Sequence, residues 1–291
     1  MPIQARQHIK RMRGGANAHL MLADDDRYYV VKFRNNPQHS RILANELICS
    51  ALLDHLDLPN PGWDVIEVSR QVIEASPGLE MEFGLEVRRC EPGLHFASRF
   101  PVDPVRQAVY DYVPLSLLRG VINLRAFLGM VVFDKWVSNV DGRQVIFFRD
   151  RAKRWLEHET AAGAEASPRS LVYVASMIDH GFAFGAHNWS FSDQPEIGLY
   201  LRREVYDGVK GYDSFQPWLD RIISLPLGAL DAPYRQIPPE WYDHERERLE
   251  ALLEELYRRR LRTPDLLRGG KRASRDPFPN WRAAAAMGGR A

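Results

Sequence analysis

The chain has 291 residues, of which 45% are hydrophobic and 26% charged, as is usual for a globular protein that buries a substantial core. Its net charge of +1 excludes a general electrostatic attraction to nucleic acid, and two cysteines are too few for a disulfide scaffold or a thiolate metal site. No apolar run approaches the about 18 residues of a membrane span, and the N-terminal sequence MPIQARQHIKRMRGG lacks the apolar core of a signal peptide. We therefore expect a cytoplasmic protein with no membrane partner, since so few cysteines suit a reducing compartment.

The first part of the chain is predicted to consist mainly of strands. Residues 8–33 predict three short strands: the first leads into Gly14 and Gly15, and the second returns through the turn sequence DDDR to the third, YYVVKF. The segments WDVIEV, RQVIEA and LEMEFGLEVRRC are predicted as further strands, the last of them a candidate edge strand.

One helix is predicted within this β-rich part. Apolar side chains recur at intervals of three and four positions in residues 41–56, which is typical of one face of a helix. Ser40 is predicted as its N-cap, and Pro59 and Pro61 as the residues that prevent its continuation. The predicted apolar face consists of Leu43, Leu47, Ile48, Ala51, Leu52 and Leu56.

From about residue 104 the pattern changes to helix. Residues 104–139 show helical periodicity that is interrupted at Pro114, and residues 214–225 and 238–262 predict two further helices. Between them, QVIFF and RSLVYVASMID predict a pair of strands. The charged and then Ala-, Ser- and Gly-rich segment that joins these strands, residues 149–168, is predicted as an exposed excursion.

The predicted fold class is therefore α+β with two lobes. Residues 1–100 form a β-rich N-lobe with one helix, and residues 101–262 form a mainly helical C-lobe. Residues 263–291 are rich in arginine and are predicted as a basic, flexible tail. The alternative for this tail is an arm that contacts phosphate or nucleic acid, although the overall charge makes a nucleic-acid partner an unfavoured prediction.

The order of several polar residues along the chain points to transfer of a nucleotide γ-phosphoryl group. A glycine turn between two strands lets backbone N–H groups approach phosphate oxygens, and Lys32 at the end of the third strand can neutralise phosphate charge. Glu46 in the following helix can hold that lysine by an ion pair. Much later, Asp141 in the sequence NVDGRQ can orient and deprotonate an attacking hydroxyl, and Asp179 in MIDHG can bind a divalent metal.

These segments resemble the HipA-like kinases. The sequence GGANAHLML is followed by a strand ending in Lys-Phe, by Asn-Glu at the head of a helix, and by Leu-Pro-Asn-Pro after it, as in the N-lobe of that family. SNVDGRQ resembles the family's Asn-x-Asp catalytic loop, and MIDHG resembles its metal-binding Asp motif. The resemblance extends over about residues 8–225 and implies a protein-kinase-like fold. It also implies ATP and Mg²⁺ as cofactors.

Carried over to this sequence, the resemblance implies roles for the nucleotide-binding residues. Lys32 contacts the α- and β-phosphates, and Glu46 pairs with it. The glycine loop covers the phosphates through Gly14, Gly15, Ala16 and Asn17. GLHFASRF, residues 93–100, is not assigned to a strand and is a candidate border of the adenine pocket or of the hinge between the lobes.

The resemblance also implies roles around the catalytic loop. Asp141 is the catalytic base, Asn139 braces the loop, and Arg143 is a cation for the γ-phosphate. Asp179 chelates Mg²⁺. A second metal ligand is less clear: kinase loops commonly place a metal-binding Asn five residues after the base, where this chain has Ile146. Gln144 offers an amide oxygen three residues after the base and is the candidate replacement.

Each of these residues also has a purely structural interpretation. Lys32 is otherwise a solvated strand-end lysine, Glu46 a carboxylate near a helix N-terminus, and Asp141 with Gly142 a common turn pair. Three functions therefore stay open: a Ser/Thr protein kinase, a pseudokinase that binds a nucleotide or a partner, and a small-molecule or lipid kinase. The HipA family is associated with toxin–antitoxin pairs, whereas the phosphoacceptor of this chain is not identified by its sequence.

Overall fold

The computed structural model of the protein describes residues 2–155 and 167–282. The predicted excursion at residues 149–168 therefore lies largely outside the described residues, as does the end of the predicted tail at residues 283–291. In the part of the chain that is described, no helix is both long enough and apolar enough to cross a membrane.

The described residues form nine strands. They are β1 (Ile3–Arg11), β2 (His19–Ala23), β3 (Tyr28–Lys32), β4 (Trp63–Val68), β5 (Glu80–Phe83), β6 (Glu86–Arg89), β7 (Gly93–Arg99), β8 (Gln144–Arg151) and β9 (Leu171–Ile178).

The same residues form eight α-helices and several short 3₁₀ turns. The helices are α1 (Arg41–Leu56), α2 (Arg70–Ala75), α3 (Leu115–Leu118), α4 (Ala126–Val137), α5 (Trp218–Ile223), α6 (Gly228–Tyr234), α7 (Arg246–Arg259) and α8 (Thr263–Gly270). The 3₁₀ turns are Ala152–Arg154, Ala183–Asn188, Arg203–Tyr206, Tyr212–Phe215, Pro239–Tyr242 and Arg260–Arg262.

The first hundred residues form a closed five-stranded barrel in the order β1-β2-β3-β7-β4. Neighbouring strands are antiparallel except β1 and β4, which run parallel where Ile3 pairs with Ile66. Side chains alternate between the two faces of each strand, so that Tyr29 and Val31 of β3 are buried while their neighbours are more exposed. Met21 and Val31 belong to the apolar cluster that fills the barrel.

Helix α1 is buried on all sides rather than on one face. Most of its residues are inaccessible to solvent, including the polar side chains of Asn45 and Glu46, because it lies between the barrel and the helices that follow. Ser40 is the N-cap residue, as predicted, although its side chain makes no cap hydrogen bond. The helix ends at Leu56, where Asp57 adopts a left-handed conformation that closes the C-terminus.

Two elements of this part differ from the prediction. RQVIEA is the short helix α2, not a strand. Ser69 caps this helix by accepting a hydrogen bond from the N–H of Val72. The apolar pattern of the segment is too short to distinguish a helix from a strand, and the capping serine was not considered. The N-terminal part therefore contains two helices, not one. The unassigned residues 93–99 form β7, which lies between β3 and β4; pairing on both edges, rather than local composition, makes this segment a strand.

The predicted edge strand LEMEFGLEVRRC is a hairpin of its own. Strands β5 and β6 pair only with each other and turn at Gly84, whose φ of 65° favours glycine. After the hairpin the chain crosses to the helical part. Residues 104–114, which were expected to be helical, contain no helix, and regular α-helix begins at α4 after the single turn α3. The predicted strand pair is confirmed as β8 and β9, with Gln144 opposite Ile178.

The prediction of a flexible tail is wrong for residues 263–282. Residues 263–270 form α8, in which Leu267 is fully buried, and Phe278 is fully buried after it. The ring of Phe278 packs against those of Tyr206 and Phe215 at centroid distances of 5.5 and 5.4 Å. The arginine content concealed these few apolar anchors, whose burial outweighs the solvation of the surrounding charges.

The barrel also encloses histidines that are held in the neutral form. His95 accepts a hydrogen bond from the backbone N–H of Arg34 at 3.1 Å, so its other ring nitrogen carries the proton toward the carbonyl of Glu91. Burial lowers the pKa of His95 to about 3, and burial together with the neighbouring His8 lowers the pKa of His19 to about 4. Neither ring therefore takes up a proton in the folded state near neutral pH.

We predict that the free energy of unfolding falls as pH is lowered from 6.5 toward 4. The unfolded chain binds protons on these histidines near pH 6.5, whereas the folded chain does not, so each contributes a loss of about 1.4 kcal/mol per pH unit. Urea unfolding at pH 7, 6 and 5 measures this slope. His95→Gln should lower the slope by about one proton, while His55→Gln, at an exposed position of α1, serves as the control. Equal slopes for wild type and His95→Gln would contradict this assignment.

Candidate active site

Three residues that are far apart in sequence meet at one buried point. Lys32 ends β3, Glu46 lies on α1, and Asp179 follows β9. The Nζ atom of Lys32 donates a hydrogen bond to Oδ1 of Asp179 at 2.8 Å and a second, short one to Oε1 of Glu46. Glu46 is 2% exposed, whereas 30% of the side chain of Asp179 is exposed. The cluster therefore has one closed side, at Glu46, and one side open to a ligand.

The charges of this cluster stabilise one another. Burial by itself would lower the pKa of Lys32, but the carboxylates of Asp179 and Glu46 outweigh it and raise that pKa. Burial raises the pKa of Glu46 even though Lys32 opposes the change. For Asp179, burial is outweighed by the attraction of Lys32, so its pKa lies below the usual value. Lys32 is thus a permanent cation, and Asp179 an ionised carboxylate at the open side.

The glycine loop lies between β1 and β2 and is held by one asparagine. Asn17 has a left-handed φ of 49° and is 5% exposed; its amide donates to the carbonyls of Gly15 and Glu82 and accepts from the N–H of Glu82. Ala16 is also buried. Gly14, with a φ of 125°, and Gly15 are exposed. The side chain of Asn17 is therefore used to shape the loop, and the exposed backbone at the two glycines is what can face phosphate oxygens.

The catalytic-loop residues lie between α4 and β8. The backbone N–H of Asp141 donates to Oδ1 of Asn139 at 3.3 Å, which holds the backbone of the loop at this point. The carboxylate of Asp141 accepts hydrogen bonds from the N–H of Gly142 at 2.8 Å and from the amide of Gln144 at 3.3 Å. It forms part of the wall of a cleft of about 470 Å³, which is also lined by Val140, Gly142, Arg143, Gln194, Glu196, Ile197, Leu199, Leu201 and Arg203.

Arg143, the predicted γ-phosphate cation, turns its guanidinium into the protein interior, although the residue borders the cleft beside Asp141. Its side chain is fully buried, and its guanidinium binds both carboxylate oxygens of Asp134 at 2.6 and 2.7 Å. It also donates to the carbonyl of Ile178, the residue before Asp179, at 2.7 Å. Arg143 therefore joins the catalytic loop to the start of the metal-binding segment from inside the protein.

Asp134 is a site-supporting residue that the sequence analysis did not identify. It lies on α4, and besides its ion pair with Arg143 it accepts a hydrogen bond from the amide of Asn139 at 3.3 Å. A signal was present, because a carboxylate inside the apolar run MVVFDKWV needs a buried partner. Spacing alone did not reveal that this partner is nine residues further along the chain.

The carboxylate of Asp179 suits a small, hard cation. Across residues 2–155 and 167–282, no group of three or more His, Cys, Asp or Glu side chains has the arrangement of a metal site. A Mg²⁺ ion needs no such cage, because proteins usually hold it by one or two carboxylates together with substrate phosphates and water. The ionised and partly exposed carboxylate of Asp179 fits this requirement, and the amide oxygen of Gln144 is a candidate second ligand.

Removal of Arg143 alone should destabilise the protein strongly. In Arg143→Met, the carboxylate of Asp134 stays buried without its partner, which costs about 3–5 kcal/mol of unfolding free energy. The double variant Asp134→Leu/Arg143→Met should regain most of that loss, since it removes both charges. Urea unfolding of the three proteins measures the difference. A loss below about 1 kcal/mol in the single variant would contradict the ion pair as a structural support.

The fold resembles that of a solved structure of low sequence identity. The structure of hydra Fam20 with sugar superposes with a TM-score of 0.51 and 11% identity, and the alignment covers 94% of this chain and 87% of that one. A Golgi casein kinase with Mn and ADP bound gives a TM-score of 0.48 at 13% identity, covering 94% of this chain and 74% of that one, which is too low a score to support an argument. The likeness to the hydra Fam20 structure concerns the fold alone, a mixture of α-helices and β-strands.

Sequence comparison identifies a family for just under half of the chain. No curated protein sequence matches it. Residues 6–147 match the family model described as HipA-like kinase, and this range includes Lys32, Glu46 and Asp141. The chain therefore carries a HipA-like kinase region over residues 6–147, which confirms the family resemblance that its motifs predicted.

Proposed function

We propose that this protein is a phosphotransferase that moves the γ-phosphoryl group of ATP to an alcohol, with Mg²⁺ as cofactor. The observation that carries the proposal is the Lys32 ammonium, which bonds Glu46 on one side and Asp179 on the other. A buried lysine held by one solvent-inaccessible carboxylate and one partly exposed carboxylate is suited to bind a polyphosphate together with a divalent cation. The family match over residues 6–147 supports the same chemistry.

On the nucleotide side, the chain binds and neutralises phosphate. Lys32 supplies a fixed positive charge for the α- and β-phosphates, and Glu46 keeps the lysine from turning away. The exposed backbone at Gly14 and Gly15 covers the phosphates. Asp179 would hold Mg²⁺, and the ion would supply neutralisation of the phosphate charge.

On the acceptor side, Asp141 orients the hydroxyl and receives its proton. The new bond forms between the acceptor oxygen and the γ-phosphorus as the bond from that phosphorus to the bridging oxygen of ADP breaks. Asn139 and Gly142 hold the aspartate by hydrogen bonds, so its carboxylate need not reorganise during the reaction. The cleft beside Asp141 is the place for the acceptor.

The lobes, acceptor and location follow as parts of the same proposal. Residues 1–100 act as the lobe that covers the nucleotide, and residues 101–262 as the lobe that presents Asp141 and Asp179. The simplest acceptor is a Ser or Thr hydroxyl of a protein, including this protein itself; a small molecule or lipid is the alternative. Cys49 and Cys90 are both free, which supports the cytoplasm as location.

A second candidate is a pseudokinase, and one observation favours it. The position five residues after Asp141 is Ile146, which is buried in β8 opposite Ser176 and supplies no oxygen ligand. Without a replacement at Gln144, the chain would bind nucleotide with incomplete metal coordination and would not transfer phosphate.

Asp141→Asn should abolish phosphoryl transfer while nucleotide binding persists. Loss of the base is expected to lower the rate by about 100-fold or more, because general base catalysis contributes on that scale. Incubation with γ-labelled ATP and Mg²⁺, with the protein itself and a pool of protein substrates, measures transfer. Asp111→Asn, at an exposed position outside the site, is the matched control and should retain wild-type transfer.

The same assay separates the two candidates. Wild-type protein that gains thermal stability from Mg-ATP but transfers no label is a pseudokinase. Wild-type protein that shows neither stabilisation nor transfer is not a nucleotide-dependent protein at all, and both candidates then fail.

Gln144→Ala tests whether the shortened loop supplies a metal ligand. If the amide oxygen of Gln144 coordinates Mg²⁺, its loss should lower the transfer rate and raise the Mg²⁺ concentration needed for half-maximal rate. A titration of Mg²⁺ at saturating ATP measures both quantities. Gln107→Ala, at an exposed position before α3, is the control. An unchanged Mg²⁺ dependence in Gln144→Ala would rule out Gln144 as a ligand.

A further inference from the structure

Asn45 on α1 directs its whole side chain into the segment that follows the second predicted aspartate. It is fully buried. Its amide nitrogen donates to the carbonyls of Gly181 at 2.8 Å, Ala183 at 3.1 Å and Ala186 at 3.1 Å. Its amide oxygen accepts a hydrogen bond from the indole N–H of Trp189 at 2.8 Å. All four partners belong to residues 179–189, which we call the Asp179 loop.

The orientation of this amide is determined by its partners. The two N–H protons of Asn45 are shared among three carbonyl oxygens, so one of these bonds is bifurcated, and the oxygen faces a group that can only donate. A reversed amide would place its oxygen against three carbonyl oxygens and its nitrogen against the indole N–H of Trp189. Among the residues that the structure describes, the Asp179 loop alone satisfies the Asn45 amide.

The backbone of the Asp179 loop satisfies only part of its own hydrogen bonding: the carbonyls of His180 and Phe182 accept from N–H groups within the loop. Left-handed φ values occur at Asp179 (62°), Phe184 (58°), Ala186 (61°) and Trp189 (54°), so the chain does not form a regular helix whose carbonyls would be bonded internally. Backbone in these regions persists only where its surroundings hold it. The Asn45 amide is what holds three of its carbonyls.

Further contacts join the same two elements. A Cβ atom on Gly181 would lie 3.3 Å from Cβ of Ile42, so the loop packs closely against α1. Arg41 donates to the carbonyl of His187 at 3.1 Å and lies over the ring of Trp189 at 4.8 Å. The first turns of α1 and the Asp179 loop therefore contact each other along their length, with Asn45 at the centre.

We propose that Asn45 is a positioning residue that locks α1 to the Asp179 loop, so that Glu46 and Asp179 reach Lys32 together. Glu46 is the next residue on α1, and Asp179 begins the loop, so the Asn45 bonds set the spacing between these two carboxylates. The ammonium of Lys32 bonds both. A shift of α1 relative to the loop would leave Lys32 with only one of them. The kinetic consequence rests on the proposed phosphotransferase function, whereas the positioning itself does not.

Hydrogen exchange of the nucleotide-free protein tests the positioning directly. Asn45→Leu, similar in size but unable to hydrogen bond, should raise the amide exchange rates of residues 180–190 by about tenfold or more while the barrel strands stay protected. Asn45→Asp, which keeps the acceptor for Trp189 but loses both donors, should have the same effect. Asn123→Leu is the control: that buried asparagine makes an equivalent pair of bonds, to the backbone of Ala175 in β9, and its loss should leave residues 180–190 protected.

If Asn45→Leu does not fold, Trp189→Phe is the second variant, since it removes the indole bond at the far end of the loop and keeps an aromatic ring beneath Arg41. It should raise exchange within residues 180–190 alone. Wild-type exchange rates in this segment for the Asn45 variants, or for Trp189→Phe where those do not fold, would overturn the proposal.

Kinetics give the second measurement. In Asn45→Leu, kcat should fall about tenfold or more and the Mg²⁺ requirement should rise, while KM for ATP changes less than about threefold. A rise in KM alone, with kcat unchanged, would overturn the positioning role. If exchange rises as expected but the wild-type protein transfers no phosphate, the proposed function fails and the positioning of the Asp179 loop by Asn45 stands.

Discussion

The site depends on one desolvated cation, the ammonium of Lys32. A lysine taken out of water stays charged only where carboxylates surround it, and here two of them come from different elements, α1 and the segment after β9. Lys32 must therefore lie within hydrogen-bond distance of both carboxylates. This requirement fixes the end of β3, α1 and the end of β9 relative to one another. The barrel fixes β3 between β2 and β7, and α1 is held in place because it is buried on all sides.

A second buried charge pair ties the other half of the site together. Arg143 and Asp134 are both inaccessible to solvent, and Arg143 also bonds the carbonyl that precedes Asp179. The loop that carries Asp141 and the loop that carries Asp179 are thus attached to a common support on α4. Since Asn45 holds the Asp179 loop from the opposite side, this loop is fixed both to α1 and to the catalytic loop. Its irregular backbone is stabilised by the many buried partners that surround it.

Much of the fold could be predicted from local pattern, and the failures have physical causes. Strands β1 to β4, helix α1 and the β8–β9 pair are strongly periodic, and each was expected near its observed position. Strand β7 was not, because its pairing with both β3 and β4 is a long-range property. The segment of α2 is predicted as a strand because six residues with two adjacent apolar side chains fit both the helical and the strand periodicity. The C-terminal segment was mistaken for a flexible tail because a few buried residues, Phe278 among them, decide its packing against many exposed arginines.

The sequence by itself determined the chemical inventory: a glycine turn, Lys32, Glu46, Asp141 and Asp179 in a fixed order, together with the family resemblance they carry. Order along the chain is enough for this, since the residue types required by phosphoryl transfer are few. Only the tertiary structure decided how each polar side chain is used. The guanidinium of Arg143 turns inward to Asp134, Asn17 shapes the glycine loop, and Asn45 bonds the loop after Asp179. Hydrogen-bond partners are chosen by burial and direction in space, and neither quantity is contained in the spacing of residues along the chain.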